Sequence, residues 1–102
     1  MNEEITSLLT SYQIAVAEIR NALRKGGLTE REIIQATINL PDFKDMLPED
    51  AYDLYKEFKL RFIVYLNDIL KLSNREISKR LGGSSYVTVH ELLKAYKTTG
   101  DI

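Results

Sequence analysis

Apolar residues recur at intervals of three and four along most of the chain, and no stretch alternates as a half-buried strand would. This pattern predicts five helices and an all-α fold in a single domain over residues 1–102. Ile5, Leu9, Tyr12, Val16, Ile19 and Leu23 are spaced 4, 3, 4, 3, 4, a three-heptad seam on a first helix from about Glu3 to Lys25. Ala15 and Ala22 flank the seam and permit close approach. Gly26-Gly27 is a natural stop, and the order Glu3, Glu4 then Arg24, Lys25 suits the helix dipole at both ends. Such a seam has two uses, packing on the chain's own core or pairing with a second copy, and it predicts a homodimer in the second case.

Punctuation residues set the remaining boundaries. "TERE", Thr29 to Glu32, has the form of a capping box and starts a second helix, expected to end near Asn39 because Pro41 biases Leu40 towards extended backbone. "PDFKDMLPED" then reads as a connection. Pro48 fits a first helical position with Glu49 and Asp50 in the first turn, and the third helix is expected to run to about Leu72. Its stripe is Ala51, Leu54, Tyr55, Phe58, Phe62, Tyr65, Leu66 and Ile69, which makes it the central helix, with its aromatics as core. Ser73 with Glu76 is a second capping box and starts a fourth helix at Asn74, on which Ile77 and Leu81 face inward. Gly82-Gly83 ends it. Ser84 or Ser85 caps a fifth helix whose buried face is Val89, Leu92, Leu93 and Tyr96.

Composition changes little in this picture, but charge changes it. At 102 residues with 44% hydrophobic content the chain can bury one core, and it holds no cysteine for a disulfide, a zinc ribbon or a thiol nucleophile. The net charge of −1 is unevenly spread: residues 1–53 carry 5 Lys and Arg against 10 Asp and Glu, and residues 54–102 carry 9 against 5. An acidic half and a basic half suggest an interaction surface at the basic end, with phosphate kept off the other. The domain divides on this basis into a helical, dimerising part (1–47) and a nucleic-acid-binding part (48–102). "MNEEITSLL" has acids where a secretion signal has bases, and no apolar run is long enough to span a membrane, so a cytoplasmic location is expected.

The basic half ends in two short helices around a glycine break, the form of a helix-turn-helix in a small helical bundle. A recognition helix presents its N-terminal residues to base edges, so residues 84–97 take that role. Ser84, Ser85, Tyr86, Val87, Thr88 and Glu91 lie outward at its start, with hydroxyls for base edges or phosphates and Val87 for a thymine methyl. Lys71, Arg75, Lys79 and Arg80 precede it, and Lys94 and Lys97 lie further along it, all placed for the phosphate backbone. "RFIVYLNDILKLSNREISKRLGGSSYVTVHELLKAY" resembles the DNA-binding domain of the DnaA-type replication initiators, and more loosely the Trp repressors, over about residues 54–97. The resemblance rests on Tyr65-Leu66 ending a long helix, Ser73-x-x-Glu76-Ile77, and Gly82-Gly83 followed by Thr88-Val89. It implies a helix-turn-helix that docks on duplex DNA. The initiators read bases through an Arg-Asp-His-Thr run where this chain has Ser84, Ser85, Tyr86 and Val87, so their target sequence does not carry over. Their basic loop is matched only by Lys59 and Arg61, one residue out of register.

Enzymatic chemistry finds no support in these residues, and no cofactor is expected. The single histidine, His90, sits on a helix beside Val89 and reads as a surface or half-buried structural residue, with a phosphate contact as the lesser option. Asp42 with Asp45, and Glu49 with Asp50, lie at a turn and a helix start, where capping explains them. No G-x-x-x-x-G-K-[ST] phosphate loop is present. The expected function is therefore a sequence-specific double-stranded DNA-binding protein, a small homodimeric transcriptional regulator. The alternatives are an accessory DNA-binding protein in replication or partition, and a helical protein-interaction adaptor that binds no DNA.

Overall fold

The computed structural model describes residues 3–81 and 86–99, apart from the side chains of Tyr86, Val87 and Thr99. Five helices follow in order: α1 (Glu3–Lys25), α2 (Glu30–Ala36), α3 (Pro48–Asp68), α4 (Asn74–Arg80) and α5 (Tyr86–Thr99). No strand occurs among the described residues. α3 is the hub: α1 packs on it most extensively, and α4 and α5 also pack on it. α1 in turn touches α2 and α4.

The end of α1 is built as the glycines require. Leu28 N–H bonds to Leu23 O (3.2 Å) and Gly27 N–H to Arg24 O (3.1 Å), the paired closure of a Schellman motif, with Gly27 in left-handed backbone at φ 97°. α2 opens on a complete capping box. Thr29 Oγ1 accepts from Glu32 N–H (3.3 Å), and the Glu32 carboxylate accepts from Thr29 N–H (3.0 Å). That backbone bond holds the Glu32 carboxyl below its usual range, and the bond from Arg24 does the same for Glu30.

Two helix ends differ from expectation. α2 stops at Ala36 rather than near Asn39. Thr37 turns its hydroxyl back onto Ile33 O (2.8 Å), Tyr65 OH takes Ala36 O, and Leu40 N–H closes a tight turn on Thr37 O (2.9 Å). The Ala36 carbonyl that a third turn would use is thus already occupied. α3 stops at Asp68 rather than Leu72. Lys71 adopts left-handed backbone at φ 57°, Leu72 N–H reaches Leu66 O (3.3 Å), and Asn67 Nδ2 donates to Leu72 O (3.2 Å).

The core also draws on residues outside the helical stripes. Leu40 and Phe43, in the segment read as a connection, are both buried. Phe43 stacks on Tyr12 with centroids 4.6 Å apart, and Tyr12 meets Phe62 at 4.3 Å and Tyr55 edge-on at 5.4 Å. Ile63 and Val64 are buried beside Phe62, so three consecutive residues of α3 lie inside; that helix is covered on more than one side.

The heptad seam of α1 packs on the chain's own core. Leu9, Tyr12, Val16 and Ile19 are buried within the chain, against α3 and Phe43, with Ile5 and Leu23 packed at the edges of the same core.

One core group lacks a partner. Tyr55 OH is buried with no hydrogen bond among the described residues, in a side chain 2% exposed. Burial pushes the phenol above its usual range, so it stays neutral. A buried hydroxyl without a partner costs about 1–3 kcal/mol. Tyr55→Phe is therefore expected to raise unfolding free energy by about 1 kcal/mol, read from the urea midpoint at unchanged slope.

Candidate nucleic-acid interface

The two C-terminal helices are placed by a few apolar anchors. Ser73 caps α4, its Oγ accepting from Glu76 N–H (3.3 Å). The reciprocal half of the expected box is not made; the Glu76 carboxylate leans instead towards Lys79 Nζ at 4.0 Å. Ile77 and Leu81 of α4 and Val89 and Leu93 of α5 are buried together, and α5 packs on α4 and α3. With its inner face fixed, the rest of α5 points outward: Thr88, His90, Glu91, Lys94, Lys97 and Thr98 are all exposed.

At about 100° per residue, these positions divide the outer surface of α5 into three strips. Lys97, His90 and Lys94 lie along one flank. Glu91 and Thr98 form the crest. Thr88 lies on the opposite flank, about 160° from His90. The first flank runs beside the start of α4, where Asn74 Nδ2 meets His90 Nδ1 at 3.2 Å. On α4 and the segment before it, Lys71, Arg75 and Lys79 are exposed. Five exposed bases (Lys71, Arg75, Lys79, Lys94, Lys97) thus share this end of the molecule with the exposed acids Glu76 and Glu91.

Not every residue expected here is available. The Arg80 guanidinium pairs with Glu18 of α1, both side chains about one-third exposed, and ties α4 to the N-terminal helix. The acid that pairs with it lies 62 residues away and on another element. Ser84 and Ser85, their capping of α5, and the Gly82-Gly83 break lie outside the described residues, as do the side chains of Tyr86 and Val87. The Asn74–His90 bond is the feature the linear reading missed. The signal was present in the spacing of His90, Lys94 and Lys97, one turn apart on one flank.

Among the described residues no cluster of His, Cys, Asp or Glu could hold a metal ion, and no helix is long and apolar enough to cross a membrane. No family model matches the chain, and no curated protein and no solved structure matches it.

Proposed function

We propose that the chain is a double-stranded DNA-binding protein, a small transcriptional regulator that lays α5 in the major groove as the second helix of a helix-turn-helix. The observation that carries this reading is the division of α5. Val89 and Leu93 are enclosed, while Thr88, Glu91, Lys94 and Lys97 stand in solvent on a helix flanked by Lys71, Arg75 and Lys79. A helix with one face locked on its scaffold and the other polar and cationic suits a groove about 12 Å wide with phosphates on both walls. Thr88 lies near the N-terminal end of α5, where base edges are read, and Glu91 at the crest can accept from a cytosine N4 amino group. Because the α1 seam lies inside the chain, the binding unit in this reading is one chain on one site; a second copy would need another surface.

The test is selection of duplexes from a random pool, followed by two variants. Thr88→Ala should cost about 1–3 kcal/mol on the selected sequence and little on random duplex, whereas Lys79→Ala should weaken both alike. Wild-type protein that recovers no preferred sequence, with Thr88→Ala indistinguishable from it, would remove the sequence-reading role. A protein-docking adaptor is the second reading. Ile34 on α2 and Ile38 just beyond its end, 60% and 65% exposed, favour it.

A further inference from the structure

Between the start of α4 and the last turns of α5 lies a depression of about 290 Å³, lined by Asn74, His90, Leu93, Lys94, Lys97 and Thr98. Leu93, 4% exposed, is its apolar floor, and the other five residues are polar or cationic. None of the six is an acid. Among the described residues neither Lys94 nor Lys97 has an ion-pair partner. Two ammonium groups without counter-charges among the described residues therefore border one concave site.

The Asn74–His90 contact orients the rest. With the Asn74 amide donating to His90 Nδ1, that nitrogen is the acceptor and the ring proton sits on Nε2. The ring then carries a donor on the side away from Asn74. Nε2–H, two ammonium groups and the Thr98 hydroxyl make a donor-rich set suited to an oxyanion with several acceptor oxygens, and lysine serves such a group as a point charge. A metal cation finds no carboxylate here, and an apolar ligand finds only Leu93. The strips of α5 add a direction. On this flank His90 and Lys97 stand about 100–120° around the helix from Glu91 and Lys94 about 60°, so a phosphate held between His90 and Lys97 lies away from that carboxylate while the crest faces the bases.

We propose that this depression binds a phosphate group, and that the phosphate it takes is one of the DNA backbone bordering the groove that α5 enters. The first half stands on the geometry alone; the second rests on the DNA reading above.

The experiment separates the two. In the full chain, inorganic phosphate is titrated while the ring signals of the one histidine are followed by NMR. The expected result is a saturable shift that is lost in Lys94→Gln/Lys97→Gln, a pair of exposed substitutions checked for an unchanged circular dichroism spectrum. No saturable shift in wild type, or the same shift in the double variant, overturns the pocket. In parallel, affinity for random-sequence duplex is measured against salt. The double variant should flatten the slope of log K against log[salt] by about 0.9, one phosphate's worth. Thr88→Ala, on the opposite flank, should leave the slope in place. Wild-type DNA binding whose slope the double variant does not alter overturns the backbone assignment. Wild type that binds no duplex overturns the DNA reading itself, and the inorganic phosphate arm then decides the pocket.

Discussion

Ile19→Glu is expected to leave the chain unfolded at room temperature, with no change in subunit number beforehand. Ile19 is 0% exposed, in the core that joins α1 to α3. The substitution gives up about 1.5–3 kcal/mol of apolar burial and forces a carboxylate either to ionise without a partner or to carry its proton inside. Several further kcal/mol follow from that choice. A domain of this size has about 5–15 kcal/mol of stability in all, so the loss removes most of the margin. Val16→Glu is the milder neighbour. Val16 borders a depression that also holds Arg20, Lys44 and Asp42, so a carboxylate there reaches its edge and meets two cations against one acid. The pair of variants therefore distinguishes two architectures. Thermal melts with light scattering at matched concentration should show an unchanged mass for every folded sample, a melted Ile19→Glu and a weakened Val16→Glu. A seam that joined two copies would instead yield folded Ile19→Glu chains at half the wild-type mass.

The same seam shows where linear reading ends. Its six positions, its glycine stop and its charged ends depend only on neighbours within a few residues, and α1 stands where they place it. Whether the apolar face meets its own α3 or a second chain leaves no trace in the spacing, because both partners satisfy the same heptad. Leu40 and Phe43 went unseen for a related reason. Two apolar residues among Pro, Asp and Lys have no period, and only the rings of Tyr12 and Phe62 make Phe43 a core residue. Ile63 and Val64 fall off the stripe of α3 because that stripe assumes a single neighbour, whereas α3 packs against helices on several sides. The end of α2 is likewise decided from a distance, by Tyr65 capturing the Ala36 carbonyl. The outward positions on α5 were legible because helical spacing puts Thr88, Glu91 and Lys94 off the Val89–Leu93 face. The Arg80–Glu18 pair was not, since nothing within a few residues of Arg80 announces an acid on α1.

That pair bears directly on the second large effect, the response of DNA affinity to salt. In the proposed complex, Lys71, Arg75, Lys79, Lys94 and Lys97 are the exposed cations at the α4–α5 end, and each that meets a phosphate releases about 0.9 of a counterion. With Lys94 and Lys97 sharing one phosphate, four such contacts give a slope near −3.6, so affinity for duplex is expected to fall about 150-fold between 50 and 200 mM salt. Were Arg80 a further contact, the fall would be about 500-fold by the same rule. Its guanidinium is instead held by Glu18, and withdrawing it would leave that half-buried carboxylate without its partner. Arg80→Ala is therefore expected to lower the melting temperature, by an amount corresponding to about 1 kcal/mol or less for a partly exposed pair, while leaving the salt slope where it was. Lys79→Ala should do the reverse: its 4.0 Å contact with Glu76 is loose and 78% of its side chain is exposed, so stability holds while the slope flattens by about 0.9. The measurement is fluorescence anisotropy of a labelled duplex at four or five salt concentrations, with a thermal melt of each variant. A wild-type slope shallower than about −2 would mean that most of these cations never meet the backbone, since two contacts alone account for about −1.8. α5 would then be sought on the surface of another protein, where salt matters far less.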